Sequence, residues 1–175
     1  MSQKSSHNTV KPNGHDEKGS APVFNVHSIY LKDLSFEAPH SPLIFNEEWK
    51  PKIDFDLQMA SEALTGAEDL YEVVLHLTVT VKSGETAEAK SAFLIDVKQA
   101  GVFVLQNLPK EAITQILATT ASAVLFPYAR ETISSLATRG GFPQLVLPPI
   151  NFDAMYMNHL ETQQSKETEA GTTVV

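Results

Sequence analysis

The sequence predicts an α+β domain: a four-stranded antiparallel sheet packed with two main helices and a short C-terminal helix. Three observations carry this reading. Period-two alternation of apolar and polar residues recurs between Phe24 and Leu105, and helical spacing takes over after Pro109. The two patterns do not interleave, which places strands and helices in separate layers. With 42% hydrophobic and 19% charged residues in a chain of 175, there is enough apolar side chain for one sizeable core.

The elements follow in order. Met1 to Pro22 is polar, punctuated by Pro12, Gly14 and Gly19, and reads as a disordered arm. The first strand is expected from about Phe24 to Phe36; alternation sets Asp33, Ser35 and Glu37 on one face and Lys32, Leu34 and Phe36 on the other. The second alternates Ile53, Phe55, Leu57 and Met59 with Asp54, Asp56 and Gln58. The third aligns Tyr71, Val73, Leu75, Leu77, Val79 and Val81. After a turn near Ser83-Gly84 the fourth is expected from about Ala87 to Leu105, interrupted near Ala100-Gly101. One apolar and one polar face per strand means a sheet open to water on one side.

Pro109 suits a helix start, and Ile113, Ile116 and Leu117 form a stripe behind it. Pro127 reads as the first-turn proline of a second helix that carries Phe126, Ala129, Ile133 and Leu136 to Gly140-Gly141. The stretch FPQLVLPPINFDAMY, Phe142 to Tyr156, is too apolar for an ordinary loop, yet Pro143, Pro148 and Pro149 keep it out of a helix or central strand. Asp153 is placed to N-cap a last helix from Ala154 to about Gln163. Glu161 to Val175 reads as a disordered tail, so one domain over residues 23–160 lies between an arm (1–22) and a tail (161–175).

Composition narrows the function. Over residues 24–100 acids outnumber lysines thirteen to six, whereas 101–160 balance, within a formal charge of −8. A field of that sign repels nucleic acid and anionic membranes and attracts a basic partner, or it serves solubility alone. Cysteine is absent, which removes disulfides, thiol nucleophiles and thiolate metal sites and fits a reducing cytosol. No signal-peptide core opens the chain and no run reads as long enough to span a bilayer, so a cytoplasmic location without membrane insertion is expected. No G-x-G-x-x-G, Walker loop, G-x-S-x-G or H-E-x-x-H is present. The six histidines (His7, His15, His27, His40, His76, His159) show no ligand spacing, and His76 reads as a solvated residue on a polar strand face. No enzymatic activity, cofactor or metal is expected.

What remains is surface. If Phe36 and Phe93 point inward, Asp33, Glu37, Leu94 and Asp96 lie together on the wet face. Carboxylates beside an exposed leucine read either as a docking patch for a basic peptide with one apolar anchor or as an ordinary solvated face. The connector EAPHSPLIFNEEWKP, Glu37 to Pro51, matches the Phe142–Tyr156 stretch in character. Both must pack on the core, meet a partner subunit or line a groove for apolar guests.

The runs IYLKDLSFEAP (Ile29–Pro39), DLYEVVLHLTVT (Asp69–Thr80) and LFPYARETISSLATRGGFPQLVLPPINFDAMYMN (Leu125–Asn158) resemble SecB, the bacterial protein-export chaperone family, in order and over nearly all of residues 24–160. The resemblance implies a SecB-like homotetramer, a dimer of dimers, that binds unfolded precursor proteins without nucleotide and delivers them to the translocation ATPase SecA. It implies SecA-binding residues at Asp33, Glu37, Leu94 and Asp96, the last where the family usually has Glu. It implies a client groove walled by the two connectors, with Phe36, Phe45, Trp49, Phe142, Leu145, Leu147, Phe152 and Tyr156. Subunit contacts are expected at Ile95, Val97, Ile113, Ile116 and Ile133. Ala100 stands where the family has Gly, and the N-terminal arm is long for it. A second role on the same fold is a chaperone dedicated to one partner, such as a toxin–antitoxin component; the matched Asp33 and Glu37 favour export.

Overall fold

A computed structural model describes residues 20–84 and 89–171, with side chains as far as residue 165. Four strands, β1 (Val23–Glu37), β2 (Pro51–Ala63), β3 (Leu70–Ser83) and β4 (Lys90–Gln106), form one antiparallel sheet in the order β1-β4-β3-β2. Helical segments α1 (Lys110–Ile116) and α2 (Ser122–Arg139) cover one face, and α3 (Phe152–Gly171) follows the proline-rich connector. The α+β two-layer architecture is the one the sequence predicts. Most of the expected arm, and Ala87 and Glu88 at the start of the expected fourth strand, lie outside the described residues.

Alternation works as read in β3, where Val73, Leu75, Leu77, Val79 and Val81 are buried and form the middle of the core with Phe93, Ile95 and Val97 of β4. The helix adds Leu117, Ala121, Leu125, Ala129, Ile133 and Ala137, spaced so that one stripe faces β4 and β3.

Several local expectations are corrected. The fourth strand is not interrupted at Ala100-Gly101; the irregularities fall in β1, at Val26/Ser28 and Leu31/Asp33, and at Val81/Lys82. Gly101 is instead a point of close approach: a Cβ there would lie 2.8 Å from Leu125 Cδ2 and 3.2 Å from the Ser28 carbonyl oxygen. The bulge in β1 also turns Lys32 away from the face shared by Leu34 and Phe36, so that its amine reaches Glu72.

Pro127 does not open a helix. It lies inside α2, and α1 runs into α2 through a π turn, Leu117–Ala121. Burial of Leu125, Phe126 and Ala129 around it outweighs a cost of about 3 kcal/mol for a proline in a helix interior. At the π turn the Ser122 hydroxyl donates to the Leu117 carbonyl at 3.2 Å. The continuous helix Lys110–Arg139, with mean hydropathy 1.3 over its most apolar stretch, has the length and composition of a membrane span, contrary to the expectation that no run does. Dividing the run at Pro127 hides this in the sequence, and in the fold its stripe is used by the sheet.

Asn151, not Asp153, caps α3: its Oδ1 accepts the Ala154 N–H at 3.0 Å, and Asp153 sits in the first turn, where its charge suits the helix dipole. The helix also continues past Gln163 to Gly171, through residues expected to belong to the tail.

Gly101→Ala should lower stability by about 1–3 kcal/mol, because the new methyl meets both a packed leucine and fixed backbone. Urea unfolding followed by circular dichroism would show a lower midpoint with unchanged slope.

Candidate functional site: a helix-free sheet face and an aromatic seam

Register determines the first surface. Glu37 pairs with Leu94, Ser35 with Asp96 and Asp33 with Lys98, so Asp33, Glu37, Leu94 and Asp96 share the face opposite the helices, as their alternation predicts. Phe36 and Phe93 stack on the covered side, ring centroids 5.9 Å apart. The acids are not bare. Asp33 takes Lys98 Nζ at 3.2 Å, and both Asp96 oxygens accept from His76 Nε2, at 2.9 and 2.8 Å, with Thr78 Oγ1 adding a bond at 2.9 Å. His76 is therefore half-buried and paired rather than simply solvated. Burial alone would raise the Asp96 pKa; hydrogen bonds from His76 and Thr78 more than offset it, and the carboxyl stays below its ordinary value.

A second polar cluster lies further along the same face. Glu72 is buried, accepts the Tyr30 hydroxyl and takes Lys32 Nζ at 2.6 Å. Burial raises its pKa, but the bonds from Lys32 and Tyr30 dominate and lower it. The bond to Glu72, followed by burial and the Glu72 and Glu62 charges, pushes the Tyr30 phenol up to about 12.

The covered side carries the second surface. Phe142 is the hub of an aromatic seam: its ring lies 5.1 Å from Phe45, 5.8 Å from Trp49 and 4.7 Å from Phe93. The two connectors therefore meet. Ala38–Lys50, which contains a 3-10 turn at Leu43–Asn46 anchored by buried Ile44, is held along the sheet end by His40 Nδ1 to the Ser91 carbonyl, the Lys90–Glu47 pair and the Ser83 hydroxyl donating to the Glu48 carbonyl. On the other side the chain leaves α2 through Gly140 and Gly141. A Cβ at Gly140 would stand 2.3 Å from Phe36 Cζ, and Gly141 adopts φ +85° against the Phe45 ring.

The predicted groove residues separate into groups. Phe36, Phe45, Trp49 and Phe142 come together in the seam; Phe152 packs edge-on against Phe126, 5.9 Å away. Tyr156 lies elsewhere, on a cleft of about 700 Å³ between β2, the helix and α3, lined also by Met59, Leu117, Ala118 and Met155. Phe142, Leu147 and Phe152 are buried within the chain and offer little surface, whereas Phe45 and, unforeseen by sequence, Leu43 and Val146 are exposed. Both edge strands also keep apolar side chains open on the helix side, Leu31 and Leu34 in β1 and Ile53, Phe55 and Met59 in β2. Alternation identified the β2 residues as apolar, but only the strand order reveals that they lie on an edge, where the Ser122 hydroxyl reaches Met59 Sδ at 3.3 Å while Ile53 and Phe55 stay open. Among the expected subunit contacts, Ile95, Val97 and Ile133 are wholly buried in the chain's own core and have no surface for a partner; Ile113 and Ile116 are half-buried. Among the described residues no three His, Asp or Glu side chains gather as a metal site.

The sheet thus carries a charged face on one side and open apolar clefts on the other. The fold is that of a SecB-like chaperone: the Mycobacterium tuberculosis Rv1957 SecB-like chaperone, solved in complex with a ChAD peptide from the Rv1956 HigA1 antitoxin, superposes with TM-score 0.61 over 73% of this chain and 91% of that one, at 20% identity. A family model described as "Preprotein translocase subunit SecB" matches residues 17–163. Protein-export protein SecB of Pseudomonas fluorescens (strain Pf0-1) is 49% identical over 153 residues, covering 87% of this chain and 91% of that protein. Its counterpart in Azotobacter vinelandii (strain DJ / ATCC BAA-1303) is 44% identical over 160 residues, covering 91% and 95%. The chain belongs to the SecB family of protein-export chaperones.

Two outcomes test the site's geometry. Tyrosinate absorbance during alkaline titration should show one of the four tyrosines ionising about two pH units late, and Glu72→Gln should return it towards 10. Because the folded pKa is raised, Tyr30's contribution to stability is complete below pH 10 and lost as pH rises through about 12. Glu72 has the opposite sense: its contribution is present above the ordinary carboxylate range and lost as pH falls through the lowered value. Gly140→Ala should displace Phe36 and loosen the seam, seen as a red shift in the emission of Trp49, the chain's one tryptophan.

Proposed function

We propose that this chain is a nucleotide-independent holdase that binds unfolded precursor proteins in the cytosol, keeps them competent for translocation and delivers them to SecA. The observation that carries the reading is the separation of surfaces. Apolar side chains left open beside both edge strands and the seam suit an unfolded client, and Asp33, Glu37, Leu94 and Asp96 on the opposite face suit a basic partner that binds at the same time. The proposed client surface centres on Leu43, Phe45 and Val146 at the seam and on the cleft beside Met59 and Tyr156.

Affinity follows from magnitudes. Each client side chain buried there contributes roughly 1.5–3 kcal/mol. Ordering a flexible client costs about 2–5 kcal/mol, so a single cleft holds it weakly. Repeating the cleft in a homotetramer, a dimer of dimers, raises avidity by about 10²–10⁴. The unpaired backbone of β1 and β2, their uncovered apolar flanks, and Ile113 and Ile116 are the proposed subunit contacts.

Calorimetric titration with an export precursor, urea-unfolded and diluted or else fully folded, tests this without nucleotide. Binding of the unfolded form alone, at less than one client per protomer, is the expected result. Equal binding of the folded form, or none, would sink the holdase reading. Glu37→Lys should weaken SecA binding by about 5–10-fold and leave client stoichiometry unchanged.

A further inference from the structure

We propose that Lys98 and His76 are specificity-determining residues of the docking face: they hold its carboxylates in intramolecular pairs with which a basic partner must compete. The inference rests on the reading of that face as the SecA-docking surface and adds the chain's own competitors to it.

The contacts set out the competition. Lys98 is the register partner of Asp33 on β1 and of His76 on β3, so both side chains stand in one row across the sheet, next to the row of Asp96. Lys98 Nζ occupies Asp33 at 3.2 Å, and His76 with Thr78 occupies both oxygens of Asp96. Glu37 makes no ion pair among the described residues and lies beside Leu94. A partner's first cation therefore meets Glu37 without displacement, and its later ones must exchange with Lys98 and His76. The Lys98–Asp33 pair is the easier to exchange, since its side chains are 39% and 59% exposed against 30% for each member of the His76–Asp96 pair.

Facing His76 are Asp96 and Lys98 from β4, Asp56 and Gln58 from β2, Glu72 on its own strand with Glu62 beyond it, and Lys32 and Asp33 from β1. Lys32 and Glu72 are committed to each other, and Asp33 to Lys98. A neutral imidazole donates one N–H to Asp96 and leaves the carboxylate its charge.

The test measures SecA affinity for the intact protein and three variants whose circular dichroism matches it. Lys98→Gln should tighten binding about 2–5-fold at low salt, and the gain should vanish at about 0.5 M salt, where exposed charges are screened. Lys110→Gln removes the same charge at the start of α1 and should change affinity by less than about twofold. His76→Val, which leaves the Asp96 carboxylate to Thr78 alone, should likewise tighten binding about 2–5-fold. If SecA binds but Lys98→Gln and His76→Val behave as the unaltered chain does, the masking is overturned and the docking face stands. If SecA does not bind the unaltered protein, the docking reading fails and the masking falls with it.

Discussion

The first two strands of the chain lie at opposite edges of its sheet, and much of the molecule follows from that constraint. In the order β1-β4-β3-β2 the link from Glu37 to Pro51 must pass two strand ends and cover about 14 Å, three inter-strand spacings. A solvated loop could cover that distance but would lose its entropy without recompense. Ala38–Lys50 instead inserts Ile44 into the core, bonds to Ser83 and Ser91, and lays Phe45 and Trp49 on Phe142. Through Phe142 the crossing is tied to the exit of α2, so two segments distant in sequence form one wall.

The same order decides what the helices leave open. An α-helix with its side chains is about 10–12 Å across, enough to cover two strands but not four. The stripe from Leu117 to Ala137 covers β4 and β3, and their inward residues are almost fully buried. Leu31 and Leu34 of β1 and Ile53, Phe55 and Met59 of β2 stay exposed on that side, because the described helix over the sheet centres on the two middle strands. The uncovered flanks are a consequence of geometry rather than of sequence polarity.

Much of this was legible in the sequence. Period-two alternation gave the four strands and the shared face of Asp33, Glu37, Leu94 and Asp96, since facing in a strand is a local property. What failed was non-local. Nothing within β1 announces the bulge that turns Lys32 over to Glu72, because the bulge is a relation between two strands. Pro127 carried a true local signal that packing of Leu125, Phe126 and Ala129 overrode. Asp153 and Asn151 are both competent caps, and the choice depended on where Phe152 turns into the core. Ile95, Val97 and Ile133 looked like interface residues because apolarity does not distinguish a chain's own core from a neighbour's surface.

The apolar connector after α2 poses a harder physical problem, since greasy surface left open tends to collapse onto the nearest core. Here collapse is largely complete for Phe142, Leu147 and Phe152, and these residues act as anchors. Between and beside them Val146, Leu43 and Phe45 are held outward. Pro143, Pro148 and Pro149 restrict the backbone between the anchors, and Gly141, in a conformation that favours glycine, sets the direction in which the segment leaves α2. A flexible segment would bury its exposed side chains or spend entropy in ordering on contact with a ligand; a stiff one pinned at every fifth residue does neither. In the proposed client surface the buried members of the connector thus have a part without touching a client: they keep their neighbours exposed.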